Sequence, residues 1–168
     1  MAKNLVKYEG AFDYSNRTTL NNNLSDVSVS TAALTANANT TLADVTGLIT
    51  DTLPVGTYRF YIHLATSAGA SGGLKVGLKF GTASMLTSIQ STSRNFTASA
   101  VVVTQSTTAT DAASLVATTS AVINSVIEGT LVVGTAGTLQ VQAAQNASNG
   151  TDTIVLVGSY MTFTRIGN

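Results

Sequence analysis

Between Thr57 and Ala65 the chain reads TYRFYIHLA, and its side chains alternate strictly. Tyr58, Phe60, Ile62 and Leu64 fall on one side, Arg59, Tyr61 and His63 on the other. Successive side chains of a β-strand point to opposite faces, so this period of two predicts a strand with one apolar face turned to a core. Pro54 and Gly56 punctuate its entry, and Pro54 and His63 are the only proline and the only histidine of the sequence.

The pattern recurs along the chain. LKVGLKFG (74–81) places Leu74, Val76, Leu78 and Phe80 on one face and Lys75 and Lys79 on the other. With the glycine-rich loop TSAGASGG (66–73) between them, the two segments are expected to pair as a hairpin. Further strands are expected in VSVSTAALTA (27–36), TTLADVTGL (40–48), RNFTASAVVVTQ (94–105), AVINSVIEGTLVV (121–133), GTLQVQAAQ (137–145), DTIVLVG (152–158) and SYMTFTRIG (159–167). In the last, Met161 and Phe163 alternate with Tyr160, Thr162 and Thr164. STTATDAASLVATTS (106–120) reads as a polar connection or a short helix around Asp111 to Val116. About eight or nine strands, with turn residues roughly every 8–12 positions and no long helical period, predict an all-β fold. The expected architecture is an antiparallel β-sandwich, jelly-roll-like. No fixed-period repeat is present, which argues against a solenoid or fibrous shaft.

The 168 residues suit one such domain, over 26–168, preceded by a segment of different character. Lys3, Lys7, Glu9, Asp13, Arg17 and Asp26 crowd the first 26 residues beside Tyr8, Phe12 and Tyr14, without sustained periodicity. Residues 1–25 are therefore expected to form an extended arm that lies against another surface. Only 10% of all residues are charged, and eight basic side chains cancel eight acidic ones. No field draws in a polyanion, so nucleic acid is not an expected partner. With no cysteine there is no disulfide, thiolate metal site or thiol nucleophile, and stability beyond the core is expected from assembly. MAKNLVKYEGAF has lysines but no apolar run behind them, and AVVV (100–103) and IVLV (154–157) are far too short to cross a bilayer. The expectation is synthesis in a cytoplasm, without a membrane partner.

Chemistry is sparse. As a general base His63 needs an orienting carboxylate, yet its neighbours on that face are Arg59 and Tyr61. GASGG (69–73) matches G-x-S-x-G around Ser71, but that motif works at a strand-to-helix turn, and here an alternating strand follows. QNASNGTDT (145–153) gathers Asn146, Asn149 and Asp152 around Gly150 without the terminal glutamate of a calcium loop, and reads as a β-turn. No catalytic, cofactor-binding or metal-ligating residues are expected, and no enzymatic activity.

LADVTGLI (42–49), LPVGTYRFYIHL (53–64), GGLKVGLKFG (72–81), VIEGTLVVGTAGTLQVQAAQ (126–145) and VGSYMTFTRI (157–166) resemble, in order and in turn residues, a loose group of tailed-phage structural proteins. The likeness covers about residues 40–166 and leaves out the arm. Domains of this group occur in capsid decoration (cement) proteins and at the ends of tail or fibre proteins, typically as trimers. A fibre tip follows a long shaft, whereas at most about 25 residues precede this body, which favours decoration. The resemblance implies a homotrimer on the capsid exterior of a virion, with the major capsid protein as partner and stabilisation of the mature shell as its task. Capsid or intersubunit contacts are expected from Lys3, Leu5, Val6, Lys7, Tyr8, Phe12, Tyr14 and Arg17 of the arm, and from Arg59, Tyr61 and His63 on the outer side of the strand. The alternative is a phage tail or fibre receptor-binding or adhesion module, its loops at 66–73, 82–95 and 106–120 reading a cell-surface glycan. Sugars stack on aromatics, and the chain has no tryptophan.

Overall fold

The computed structural model describes residues 26–82, 84–108 and 114–167. The expected arm, with Lys3, Leu5, Val6, Lys7, Tyr8, Phe12, Tyr14 and Arg17, lies outside the described residues. Among the described residues the chain forms twelve strands and no helix. They are β1 (Asp26–Val29), β2 (Leu34–Ala36), β3 (Ala43–Ile49), β4 (Gly56–Ala68), β5 (Leu74–Phe80), β6 (Leu86–Phe96), β7 (Val101–Thr108), β8 (Ser114–Thr118), β9 (Asn124–Val133), β10 (Leu139–Ala144), β11 (Thr153–Val155) and β12 (Tyr160–Gly167). Two antiparallel sheets result. The larger runs β1-β12-β4-β9-β6-β7, with β11 on the end of β4 and β2 beyond it; the smaller runs β3-β10-β5-β8.

The two sheets close on one core, as a jelly-roll-like β-sandwich requires. The larger sheet contributes Tyr58, Phe60, Ile62, Leu64, Ile127, Leu131, Met161 and Phe163; the smaller contributes Val45, Leu48, Leu74, Val76, Leu78, Leu139 and Val141. Phe60 and Phe163 are register partners whose rings stack with centroids 5.8 Å apart. At the entry to β4, the Tyr58 hydroxyl donates to the Pro54 carbonyl at 2.8 Å and ties the lone proline to the strand it introduces.

Segments 57–65 and 74–81 do not pair as the expected hairpin. β4 lies between β12 and β9 in one sheet, and β5 between β10 and β8 in the other. The reason is burial. Each strand has an apolar face that needs an opposing layer, and placing them in different sheets lets the two faces cover each other. The connecting loop turns through Gly73 at φ 60°, where a Cβ would overlap the Thr118 carbonyl oxygen. A glycine tolerates both the left-handed backbone and the close approach.

Other segments are also redistributed. The expected strand over 27–36 breaks after Val29, and the Ser30 N–H donates to the Ser159 carbonyl at 2.7 Å. β1 then pairs with β12, and β2 with β11. The expected strand over 94–105 is a hairpin, β6 into β7. Its turn is held by the Thr97 hydroxyl, which accepts from the Ala100 N–H and donates to the Ala100 carbonyl. Residues 82–95, expected as a loop, are largely β6. The possible helix near Asp111 to Val116 is instead β8 from Ser114 onward, with residues 109–113 outside the description.

Candidate interface on the larger sheet

The registers of six strands line up the side chains on the outer face of the larger sheet. One row reads Val29, Tyr160, His63, Val126, Arg94, Val103 from β1 to β7. The next reads Val27, Thr162, Tyr61, Glu128, Thr92, Gln105, and a third carries Thr164, Arg59, Thr130 and Gln90. Beyond the first row, Phe96 pairs with Val101. Arg59, Tyr61 and His63 are therefore brought together on one face, as expected from their alternation. Tyr160, Val27, Val29, Val126, Val101 and Val103 join them without having been expected there.

Aromatic rings mark the middle of this face. His63 stacks on Tyr160 with centroids 5.2 Å apart, and Tyr61 lies 5.9 Å from the same ring. Burial pushes the Tyr61 phenol above its ordinary pKa, and the neighbouring Tyr160 and Glu128 add to the rise. His63 Nδ1 and Asn124 Oδ1 are enclosed without a hydrogen-bond partner. Arg94 and Glu128 pair across β6 and β9 at 2.7 Å while still partly exposed, and Arg59 is exposed on the same face. Around this centre Val27 is 59% exposed, Val29 48%, Val101 51% and Val103 58%. Toward the polar rows, Gln90, Ser91, Thr92, Gln105, Glu128, Gly129 and Thr130 line a shallow groove of about 400 Å³.

The outer face of the smaller sheet is different in kind. Its polar groups satisfy each other: Lys79 Nζ meets Asp44 Oδ2 at 2.9 Å, and Gln142 Nε2 donates to Asp44 Oδ1 at 2.7 Å. The Lys79 ammonium and then the Gln142 amide hold the Asp44 carboxyl below its ordinary value. Lys75 Nζ donates to the Thr40 carbonyl. Gln140 Nε2 fills the bulge opposite β3, donating to the carbonyls of Val45 and Leu48 at 2.8 and 2.9 Å. One face carries a polar network, with Ile49 exposed at its edge strand; the other carries exposed valines on both edge strands around stacked rings.

The loops offer structure where sequence raised chemistry. Ser71 of GASGG is exposed at φ 76°, gives its N–H to the Thr119 carbonyl, and leads into β5. In QNASNGTDT the organiser is Gln145, fully buried, whose carboxamide reaches Asn39, Asn149 and Thr151.

No family model matches this chain, and no curated protein matches it. Among solved structures, the crystal structure of murine APRIL at pH 8.0 is similar with a TM-score of 0.42 and 9% identity, over 84% of this chain and 98% of that one. Murine APRIL at pH 8.5 gives a TM-score of 0.39, 9% identity and the same coverage, 84% and 98%. The VP2 subviral particle of infectious bursal disease virus gives a TM-score of 0.22 and 12% identity, over 86% of this chain and 42% of that chain.

Proposed function

We propose that this chain is a structural protein of a virion, a capsid decoration (cement) protein. On this reading its copies join as a trimer through the outer face of the larger sheet and bind the major capsid protein on the exterior of a phage head. The observation that carries the reading is the contrast between the two outer faces. Val27 and Val29 on β1 and Val101 and Val103 on β7 leave apolar surface exposed on either side of the stacked rings, and exposed apolar surface rimmed by polar residues marks interaction sites. The whole face, polar rows included, is six strands about 4.8 Å apart and about eight residues long, roughly 750 Å², close to the ~800 Å² each partner buries in a standard interface. The occupant that fits best is a further copy of the chain. The face has one internal ion pair and little unbalanced charge, so it offers nothing to steer a highly charged partner.

The task is mechanical, with no chemical step. A ligand that binds only the expanded shell stabilises that state by mass action, at about 1.4 kcal/mol for each tenfold excess over its Kd. Three linked bodies add avidity to contacts that are individually modest. The arm, residues 1–25, extends the contact to capsid neighbours or sister subunits.

Two measurements test the proposal. Light scattering should give three times the chain mass of 17.1 kDa. Undecorated expanded shells should take up the protein in proportion to their capsid subunits and withstand higher temperature, and deletion of residues 1–24 should lower the occupancy. A monomer overturns the interface. A few copies at the tail, with a bare shell, overturn the decoration role in favour of a receptor-binding module. Full occupancy by the truncated chain overturns the role of the arm.

A further inference from the structure

The turn QNASNGTDT (145–153) holds the only Asn–Gly sequence of the chain, Asn149 followed by Gly150. The fold fixes Asn149 at three points. Its N–H donates to Gln145 Oε1 at 3.1 Å, its carbonyl accepts from Gln145 Nε2 at 3.0 Å, and its side-chain Oδ1 accepts from the Thr151 N–H at 2.8 Å. The last of these bonds makes an Asx-turn, which folds the side-chain amide back along the peptide that follows it. That peptide belongs to Gly150, which is exposed and carries no side chain to shield its nitrogen. An N–H held within about 2.7–3.1 Å of a carbonyl oxygen also stabilises the negative charge that grows there when the carbon is attacked.

We propose that Asn149 is a site of spontaneous covalent modification, where the Gly150 backbone nitrogen displaces the side-chain amide of Asn149. The Gly150 nitrogen gives its proton to solvent base and forms a bond to Asn149 Cγ. The electron pair of the side-chain carbonyl collects on Oδ1, where the Thr151 N–H is already placed to receive it. When that pair returns, the bond from Cγ to Nδ2 breaks, and the amide nitrogen takes a proton from water and leaves as ammonia. A cyclic imide remains. Water then opens it at the side-chain carbonyl to give aspartate in an unaltered main chain, or at the main-chain carbonyl to give isoaspartate, with the main chain rerouted through the side chain and longer by a carbon. The position gives the change a consequence. The Thr151 N–H still has a carboxylate oxygen to bind in the aspartate product. The isoaspartate product shifts the main chain beyond it, where the Gly150 carbonyl accepts from Asn37 Nδ2 at 2.9 Å and the Thr151 carbonyl from Gln145 Nε2 at 2.6 Å. Those bonds fasten the 37–39 segment to this turn, so the junction loosens as the chain ages. The inference does not rest on the outer-face contact proposed above.

The test is peptide mapping of the full chain by mass spectrometry after storage in neutral buffer, in mildly alkaline buffer and in denaturant, with fragmentation that separates aspartate from isoaspartate. The expected result is the mass change of amide to acid at Asn149, faster in alkaline buffer and at least as fast in the folded chain as in denaturant. Loss of Tm should follow the isoaspartate fraction. Asn39, followed by β-branched Thr40, and Asn124, followed by the fully buried Ser125, are internal comparisons that should stay amides. Gly150→Ala should slow the conversion by about tenfold or more, a barrier difference of about 1.4 kcal/mol. A Cβ at Gly150 meets nothing within 4 Å and the residue is not among those at positive φ, so this variant keeps the fold, checked by an unchanged Tm before storage. Asn149→Asp should match freshly made wild type in Tm, which assigns the loss in stored chains to isoaspartate. Slower conversion in the folded chain than in denaturant, equal rates in wild type and Gly150→Ala, or conversion at Asn39 or Asn124 as fast as at Asn149 overturns the inference. An Asn149→Asp variant as unstable as the stored chain overturns the consequence assigned to isoaspartate.

Discussion

Replacing Gln145 with leucine removes the buried side chain at the centre of a junction between two loop segments. The side chain is fully buried, and its carboxamide makes four hydrogen bonds. Nε2 donates to the carbonyls of Asn149 at 3.0 Å and Thr151 at 2.6 Å; Oε1 accepts from the N–H groups of Asn39 at 3.2 Å and Asn149 at 3.1 Å. One side chain thus fastens the 37–39 segment to the 145–151 turn. Asn37 strengthens the same junction by donating to the Gly150 carbonyl at 2.9 Å and to Asp152 Oδ1 at 2.6 Å. Leucine has similar volume and none of the hydrogen bonds. At about 1 kcal/mol net for each bond the loss is near 4 kcal/mol. Thr151 is exposed and Asn149 half-buried, so water regains part of this, and the expected cost is about 2–4 kcal/mol.

For a chain of this size that cost lowers Tm by about 5–15 °C. Urea unfolding at fixed protein concentration reads it as a lower midpoint with an unchanged slope. Gln145→Glu sharpens the test. It turns the donor end of the amide into a carboxylate oxygen aimed at two carbonyls, so at neutral pH it should be worse than leucine, with part of the loss recovered in acid as the carboxyl protonates. A leucine variant within about 1 kcal/mol of wild type would refute the reasoning. So would a glutamate variant as stable as the leucine one.

Three further outcomes follow from the same geometry. Gly129 sits between β4 and β6, where a Cβ would overlap the Gln90 carbonyl oxygen and lie 2.9 Å from Ser91 Cα. Gly129→Ala must therefore push the β6–β9 ladder apart and cost about 1–3 kcal/mol or more in denaturant unfolding. Tyr160→Asp puts a charge in the middle of the proposed contact, and light scattering should report a folded single chain in place of a trimer. Lys79→Met should raise the Asp44 pKa followed by NMR, because the Lys79 ammonium is the main cause of its depression. A folded-state value below the unfolded one means that the pair's stabilisation is present at neutral pH and is lost as pH falls through the folded-state value. Both partners are about half exposed, so that stabilisation is under about 1 kcal/mol.

The fold class was legible because several strands alternate cleanly. TYRFYIHLA, LKVGLKF, LQVQAA and YMTFTRI bury the apolar residues that their period assigns to the core, except that Phe80 at the end of β5 is half-buried against it. Pairing was not legible. Alternation says which side of a strand is inside, and says nothing about which strand lies beside it; hence β4 and β5, adjacent in sequence, belong to different sheets. β6 escaped notice for another reason. Its inward positions after Ile89 are Ser91, Ser93 and Asn95, buried although polar, so the period is present without its usual hydrophobic marker. The interface was half legible. The side of β4 away from the core picks out Arg59, Tyr61 and His63, but Tyr160 joins them only through the β12–β4 register. Its alternation with Met161 and Phe163 carried a signal that strand order alone could use.

That polar interior bears on the proposed contact. Asn95 Oδ1 accepts from Ser125 Oγ at 2.7 Å, so a buried hydrogen bond occupies part of the inner face of β6 and β9 where a larger apolar side chain would otherwise pack. On the opposite side of the same strands stand Val126 and Phe96, and on β7 Val101 and Val103. At this end of the larger sheet polar groups stand inside, and apolar groups stand outside around the Arg94–Glu128 pair. A satisfied buried hydrogen bond contributes about 1 kcal/mol, and burying the half of Val101 or Val103 that is still exposed contributes about 1 kcal/mol more for each. The hydrophobic stabilisation that the β6–β7 hairpin does not obtain from its own core is therefore available from whatever covers its outer side. Association through this face places the apolar groups of β6 and β7 in an interior, the one setting in which this distribution of residues resembles an ordinary sheet.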